Sequence, residues 1–263
     1  MIYPHVVKAT FIDRPNRFIA HVHIDGAADG AVETVHVKNT GRCRELLIPG
    51  VKVILSDGWT DEERLNPDMP HTRKTRYDLI TVYKENLGWI NIDSQVPNKV
   101  VMEWLQSNSP SRNALFSNPI IKPEYTYGDS RVDFYVKDGE RNILIEVKGC
   151  TLEVDGVGYF PDAPTTRGVK HLNELAGAID SGYETYILYV IAMPGITKVL
   201  PNGKTDPCYE VHYKKATQKG VKTLYMTCDI TQNEIRYIAL DYVICFSIIF
   251  FFFSDIYVVY YYG

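Results

Sequence analysis

Cysteine is scarce in this chain and is not arranged for metal binding or for a disulfide framework. The five cysteines among 263 residues are odd in number, widely spaced, and never form a C-x-x-C pair. This spacing argues against a zinc finger, an iron–sulfur site and a disulfide scaffold. A reducing compartment, and therefore the cytoplasm, is the expected location.

The sequence also lacks an excess of positive charge and a signal peptide. Its 28 Lys and Arg residues are outnumbered by 32 Asp and Glu residues, so the net charge at pH 7 is −4 with His neutral. A protein that coats nucleic acid would be strongly basic, and any contact with DNA or RNA must therefore come from local patches. The amino-terminal segment MIYPHVVKATFIDRPNRF lacks the basic-then-apolar order of a signal peptide.

The first part of the chain, residues 1–82, has the pattern of a small all-β domain. The segments RFIAHVHID and VETVHVKNTG alternate polar and apolar residues, and PGVKVILSDG is bounded by glycine on both sides. Several short strands at this spacing predict a small barrel or sandwich.

Basic residues recur between these strands, and they allow two interpretations. They form either a solvated mixed-charge surface or a groove that follows phosphates, as small OB-type barrels provide. The pair His21 and His23 shares one strand face, but no third metal ligand is evident. The basic residues are Arg14, Arg17, Lys38, Arg42, Arg44, Arg73, Lys74 and Arg76.

Residues 83–242 alternate helical and strand patterns, which predicts an α/β domain with a central mixed sheet. NKVVMEWLQSN has its apolar residues at helical spacing, and TTRGVKHLNELAGAIDSGY does so after a candidate N-cap at Thr165 or Thr166. TYILYVIAM is typical of a strand buried on both faces. YKKATQKGVKTLYMTCDI predicts a short helix, a stop at glycine and a strand.

The hairpin RVDFYVKDGERNILIEVKGC, residues 131–150, ends its second strand with Glu146 and Lys148 on the same face. A turn at Asp138–Gly139 would pair Asp133 with Leu144, roughly 7–8 Å and one diagonal step from Glu146. Two carboxylates at that separation can share one Mg²⁺. Lys148 would orient a water or stabilise charge on a phosphate, which together with a metal suits phosphodiester hydrolysis.

The alternative for this hairpin is a surface ion pair across two strands. The apolar run ILIEV favours a central strand over an exposed edge, and charges at the end of a central strand are placed to line a cleft.

The carboxyl-terminal segment 243–263, VICFSIIFFFFSDIYVVYYYG, is nearly free of charge. Three interpretations remain open: an aberrant extension such as a wrong reading frame produces, a tail anchor long enough to span a bilayer, or a core element. A membrane is an expected partner only if the segment is a genuine anchor.

Four motifs together resemble the sugar fermentation stimulation protein A (SfsA) family of bacteria and archaea. They are NTGRCRELLIPG, RVDFYV, IEVKG and GYFPDAPTTRGVKHLNEL, and the resemblance runs from about Phe11 to Ile238, leaving out the tail. It implies an OB-like first domain and a second domain of the PD-(D/E)xK restriction-endonuclease-like fold. It also implies DNA binding and a role in regulating sugar (maltose) fermentation genes.

The resemblance assigns site residues by position. It implies that Asp133, Glu146 and Lys148 are catalytic, and that Glu124 joins the two carboxylates in holding Mg²⁺ or Mn²⁺. The DNA-binding residues expected from the resemblance and from local charge are Arg17, Asn39, Thr40, Gly41, Arg42, Arg167, Lys170 and His171.

Two functions therefore remain open from the sequence. The first is a Mg²⁺- or Mn²⁺-dependent deoxyribonuclease with an OB-type DNA-binding domain, and the second is a DNA-binding regulator without significant turnover. DNA is the expected partner in both, no protein partner is evident, and a homo-oligomer is left open.

Overall fold

The structure is a computed structural model that describes residues 1–28, 30–39, 41–71, 73–107 and 115–243, excluding the side chains of residues 242 and 243. Two predictions fall outside these residues: the DNA-binding role of Thr40, and the nature of the tail beyond residue 243.

The first domain is a closed five-stranded barrel, one of the two architectures that the strand patterns predict. Strand β1 pairs with β2 and β4, β2 pairs with β3, β4 pairs with β5, and β3 closes the ring by pairing with β5 in parallel. Alternate residues such as Ala20 and Val22 point inward and are fully buried. The strands are β1 (Val6–Asp13), β2 (Ile19–Ile24), β3 (Glu33–Val37), β4 (Lys52–Asp57) and β5 (Tyr77–Lys84).

The barrel sheet extends further than the boundary expected after residue 82. That boundary falls inside β5, and a sixth strand, β6 (Gly88–Asn91), still pairs with β5. The connection from β4 to β5 carries a short helix, α1 (Asp61–Leu65), which Thr60 caps.

The second domain has one mixed six-stranded sheet between helices. Its order is β15-β14-β12-β9-β8-β7, and β12 runs parallel to both β9 and β14. A smaller sheet of order β10-β11-β13 lies beside it. The elements are α2 (Val96–Leu105), β7 (Ile120–Tyr127), β8 (Ser130–Asp138), β9 (Arg141–Cys150), β10 (Leu152–Val154), β11 (Val157–Phe160), α3 (Thr166–Ile179), β12 (Glu184–Ile191), β13 (Val199–Pro201), α4 (Pro207–Lys219), β14 (Lys222–Ile230) and β15 (Ile235–Val243).

The predicted helices form because their apolar residues share one face and their ends carry caps. The Thr165 hydroxyl accepts the N–H of Gly168 at 2.9 Å and begins α3. The left-handed Gly220, with φ of 117°, ends α4 before β14. Both signals were readable in the sequence and are confirmed.

The two helical layers cover opposite faces of the sheet. Leu172 and Leu175 of α3 pack in the same apolar cluster as Leu144, whereas Val100 and Trp104 of α2 pack in the cluster around Ile143 and Ile145. Strand β9 is therefore an interior strand buried on both faces, as the run ILIEV predicts. Within the described residues, no helix is long and apolar enough to cross a membrane.

Candidate functional site

The hairpin of β8 and β9 brings Asp133 beside Glu146, in a register that differs from the prediction. The strands pair Phe134 with Ile145 and Asp138 with Arg141, so the two-residue turn is Gly139–Glu140 and not Asp138–Gly139. The predicted pairing of Asp133 with Leu144 is wrong by two positions. Continued by one residue, the observed register sets Asp133 opposite Glu146.

The register shifts because Asp138 is held in the strand. Its carboxylate accepts the backbone N–H groups of Ser117 and Asn118 at 3.2 and 2.9 Å and pairs with Arg141 at 3.3 Å. These contacts stabilise Asp138 as the last strand residue, and glycine then supplies the positive φ of 58° that the turn needs.

Both oxygens of Asp133 have donors. Oδ1 accepts from the amide of Asn98 on α2 at 2.8 Å, and Oδ2 accepts the backbone N–H of Val147 at 2.7 Å. Burial, and then the nearby negative charge of Glu146, raise the pKa of the Asp133 carboxyl above its usual value. Asn98 has no signal in the sequence that marks it as a partner of Asp133.

Glu146 is almost completely buried, with 3% of its surface exposed. Its Oε1 accepts from Lys148 Nζ at 2.6 Å and also contacts Nδ1 of His171. Burial acts to raise the pKa of Glu146, but the His171 hydrogen bond and the Lys148 charge outweigh burial and hold that pKa below its usual value. The charges that end β9 therefore satisfy one another in the interior, and they are not a surface ion pair.

His171 takes part in this cluster as a hydrogen-bond donor to the acid. Arg167 Nε, which can only donate, lies 3.3 Å from Nε2 of the ring. Nε2 is therefore the acceptor. Nδ1 lies much closer to Glu146 Oε1 than to Lys148 Nζ, which is 3.4 Å away, so the proton on Nδ1 is directed at Glu146. The sequence predicts that His171 contacts DNA. The residue is only 7% exposed, so little of its side chain is accessible to a DNA strand.

Glu124 lies across from Asp133 on the neighbouring strand β7, and both residues line one cavity, whereas Lys170 takes no part in the cluster. Glu124 has a φ of 53°, and its carboxylate pairs with Arg131 at 2.8 Å. Lys170 is exposed on α3, and its Nζ lies 3.6 Å from Oε1 of Glu174. Such a pair is typical of a solvated helix surface. Arg167 is also exposed, although its Nε reaches the cluster.

The donor set suits a hard divalent cation with few protein ligands. Among the described residues, no group of three or more His, Cys, Asp or Glu side chains is arranged to hold a metal. Asp133 and Glu146 nevertheless lie on adjacent strands, and a carboxylate has lone pairs beyond those already used. Mg²⁺ keeps several waters and binds through one or two carboxylates, so the pair fits a hydrated Mg²⁺ or Mn²⁺.

A second feature is a cleft of ≈ 770 Å³ between the barrel and the segment before α3, named here the arginine cleft. Its basic lining comes from the barrel, and Ala163 and Pro164 line it from the second domain. Arg17 and Arg42, predicted to bind DNA, both lie here. The guanidinium side chains of the lining belong to Arg14, Arg17, Arg42 and Arg44.

Asn39 and Gly41 shape the edge of the arginine cleft. The Asn39 side-chain oxygen accepts the N–H of Gly41 at 2.7 Å, and its amide donates to the backbone of Ile92 at 2.8 Å. A Cβ at Gly41 would come within 2.3 Å of the Asp162 carboxylate, so only glycine fits there without a shift. Both residues hold the loop in place through these contacts.

Comparison with known families agrees with this two-domain architecture. Residues 12–92 match the family model "SfsA N-terminal OB domain", and residues 95–234 match "Sugar fermentation stimulation protein RE domain". The matched boundary between 92 and 95 coincides with the end of the barrel sheet at β6.

Individual relatives support the same assignment. A "Sugar fermentation stimulation protein homolog" of Desulfitobacterium hafniense is 48% identical over 236 residues, which is 90% of this chain and 95% of the relative. A protein of the same description from Ruminiclostridium cellulolyticum is 44% identical over 237 residues, 90% and 96% of the two chains. The solved structure of Pyrococcus furiosus SfsA in complex with Ca²⁺ superposes with a TM-score of 0.72 at 25% identity, over 91% of this chain and 96% of that one.

The fold thus defines a two-domain protein in which an OB barrel precedes a mixed α/β domain. With family models that cover both domains, this chain belongs to the sugar fermentation stimulation protein (SfsA) family.

Proposed function

We propose that the protein is a DNA-binding, metal-dependent deoxyribonuclease whose second domain has the PD-(D/E)xK fold. The observation that carries this proposal is the cluster of Asp133, Glu146 and Lys148 on adjacent strands, in which Glu146 is buried and the other two are half-buried. The pKa values of its two acids move in opposite directions, up for Asp133 and down for Glu146. Such divergence is common where one site performs acid and base chemistry.

The protein groups have distinct parts in this proposal. Lys148 supplies a positive charge 2.6 Å from Glu146, where it stabilises the negative charge that develops on a phosphoryl group. His171 orients Glu146, and the exposed Arg167 is available to a neighbouring phosphate.

Asp133 and Glu146 would hold the metal. Mg²⁺ or Mn²⁺ bound there would supply Lewis acidity toward a phosphoryl oxygen. The Ca²⁺ named for the Pyrococcus furiosus protein supports a divalent cation in the family. Ca²⁺ and Mg²⁺ both prefer oxygen ligands, which this pair provides.

Calorimetric titration with Mn²⁺ tests the metal assignment. Asp133→Asn and Glu146→Gln should each weaken Mn²⁺ binding by more than about tenfold, because each removes a charged oxygen ligand. Glu62→Gln is the matched control, since Glu62 is exposed on α1 in the first domain and its loss should leave the affinity nearly unchanged. An Mn²⁺ affinity that all three variants retain would remove the metal site from the proposal.

A second candidate is a DNA-binding regulator of sugar fermentation genes without turnover. It is favoured by the burial of Glu146 and by the arginine cleft, which needs no metal to bind phosphates. The name that the relatives carry, sugar fermentation stimulation protein homolog, fits such a role. DNA cleavage assays in Mg²⁺ on single-stranded, duplex and branched substrates separate the two candidates.

We also infer a cytoplasmic location. The described cysteines Cys43, Cys150, Cys208 and Cys228 are all free, as a reducing compartment predicts. Fractionation of the cells that produce the protein tests this inference.

A further inference from the structure

The lining of the arginine cleft has a net positive charge. Both terminal nitrogens of Arg14 donate to backbone carbonyls, those of Gly41 and Arg42 at 2.9 and 2.8 Å and those of Arg17 and Asn39 both at 2.6 Å. These partners are neutral, so the charge of Arg14 remains, and its buried Nε has no partner in the described part of the chain.

The other guanidinium groups of the cleft are exposed. Within the described residues, Arg17, Arg42 and Arg44 form no ion pair with a carboxylate. The lining also holds one acid, Asp13, which lies 2.7 Å from His21, so four arginines outnumber a single carboxylate there. A polyanion is therefore the complementary ligand.

The size of the cleft suits one strand of nucleic acid. Its ≈ 770 Å³ is in the range of pockets that hold one small molecule, which corresponds to a few nucleotides at most. A duplex is wider than its major groove of roughly 12 Å, so at most one of its two backbones could lie in a cleft of this size.

An exposed aromatic ring lies beside Arg17, a lining residue of the arginine cleft. Phe18 is 50% exposed, and the guanidinium carbon of Arg17 lies 5.8 Å from the centre of its ring. The backbone N–H of Phe18 donates to the side chain of Asn16, another lining residue, at 2.8 Å. Bases of a single strand stack on such rings, whereas a duplex hides its base faces.

The cleft also leads toward the candidate active site. Ala163 and Pro164 form its wall from the second domain, and Thr165 then begins α3. The first turns of α3 carry Arg167 and His171, which reach Glu146. A strand in the cleft that follows this segment would therefore arrive at the acids.

We infer that the arginine cleft binds single-stranded DNA, with a base stacked on Phe18 and the backbone directed along Ala163–Thr165 to the cluster of Asp133, Glu146 and Lys148. The choice of DNA rests on the proposed function. The preference for a single strand rests on the cleft and on the exposed ring.

Fluorescence anisotropy of the full chain in EDTA tests this inference. The ligands are a labelled oligothymidylate and a labelled hairpin duplex with the same number of phosphates, at equal salt. The wild type should bind the single strand more than about tenfold more tightly, and Phe18→Ala should weaken that binding roughly fivefold to a hundredfold. Duplex binding should stay unchanged. Val32→Ala is the matched control, because Val32 is a barrel residue that is 56% exposed.

Equal affinity for the two ligands would overturn the inference, as would an equal effect of Phe18→Ala on both. Because the binding assay contains EDTA, its result does not depend on the metal that the proposed nuclease activity needs. Single-strand binding in EDTA without later cleavage in Mg²⁺ supports the cleft and overturns the nuclease. Cleavage of duplex DNA without preferred binding of the single strand supports the nuclease and overturns the inference about the cleft.

Discussion

The imidazole of His171 donates its Nδ1 hydrogen to Oε1 of Glu146, while Arg167 donates to the opposite ring nitrogen at 3.3 Å. The arginine thus selects the tautomer that points a donor at the acid. A ligand whose orientation is fixed in this way binds metal better, and the loss of such a partner typically costs about 10- to 100-fold in affinity.

His171→Ala should therefore weaken Mn²⁺ binding by about tenfold or more, because Glu146 loses the donor that orients it. His171→Gln, whose amide can still donate, should restore much of the affinity. Calorimetry with Mn²⁺ on both variants measures this difference. Equal affinity in the wild type and the alanine variant would mean that the contact serves packing alone.

The arginine cleft should dominate DNA binding. Arg42→Ala or Arg17→Ala should lower the affinity for every DNA sequence, and the slope of log K against log salt should fall by about one for each phosphate that the variant no longer neutralises. Titrations at several salt concentrations measure the slope. Arg236→Ala provides the control, since Arg236 is exposed in the second domain and pairs with Asp229. A salt-independent affinity would contradict this assignment.

Glu184 should contribute stability that acid removes. Its carboxylate accepts from Arg141 at 2.9 Å and from Lys222. Burial opposes these contacts, but they outweigh it and lower the pKa of Glu184 to about 2.

Because the folded pKa of Glu184 lies below the unfolded value of roughly 4.3, the stabilisation is complete above about pH 5 and declines as the pH falls toward the folded value. With allowance for solvent screening, Glu184→Gln should cost about 1–2 kcal/mol near neutral pH. Urea unfolding at about pH 7, 5 and 3 should show the gap between wild type and variant shrinking with acid. Glu140→Gln, at an exposed residue of the β8–β9 turn, is the matched control.

Local signals in the sequence were sufficient for most of the fold. Alternation within β2 and β3, the Thr165 cap and the Gly220 stop are properties of neighbouring residues, and the structure agrees with each. The β8–β9 register was predicted wrongly because it depends on Asp138 accepting from Ser117 and Asn118, about 20 residues away.

In the candidate site, too, contacts within one strand could be predicted from the sequence, whereas contacts between distant elements could not. Strand periodicity predicts that Glu146 and Lys148 share a face, and they are in contact. The approach of His171 and Asn98 depends on how α3 and α2 pack on opposite faces of the sheet, which no local pattern encodes.

The most direct test of the central claim is cleavage of end-labelled DNA in Mg²⁺ by the wild type and by Lys148→Ala. The wild type should cleave. Lys148→Ala should lose activity by more than about a hundredfold, because the positive charge at the reacting phosphate is gone. Thermal melts should show that this variant is still folded. Lys219→Ala, which removes an exposed lysine paired with Asp180, should cleave like the wild type. Cleavage by Lys148→Ala at the wild-type rate, or none by the wild type on any DNA form, would contradict the account.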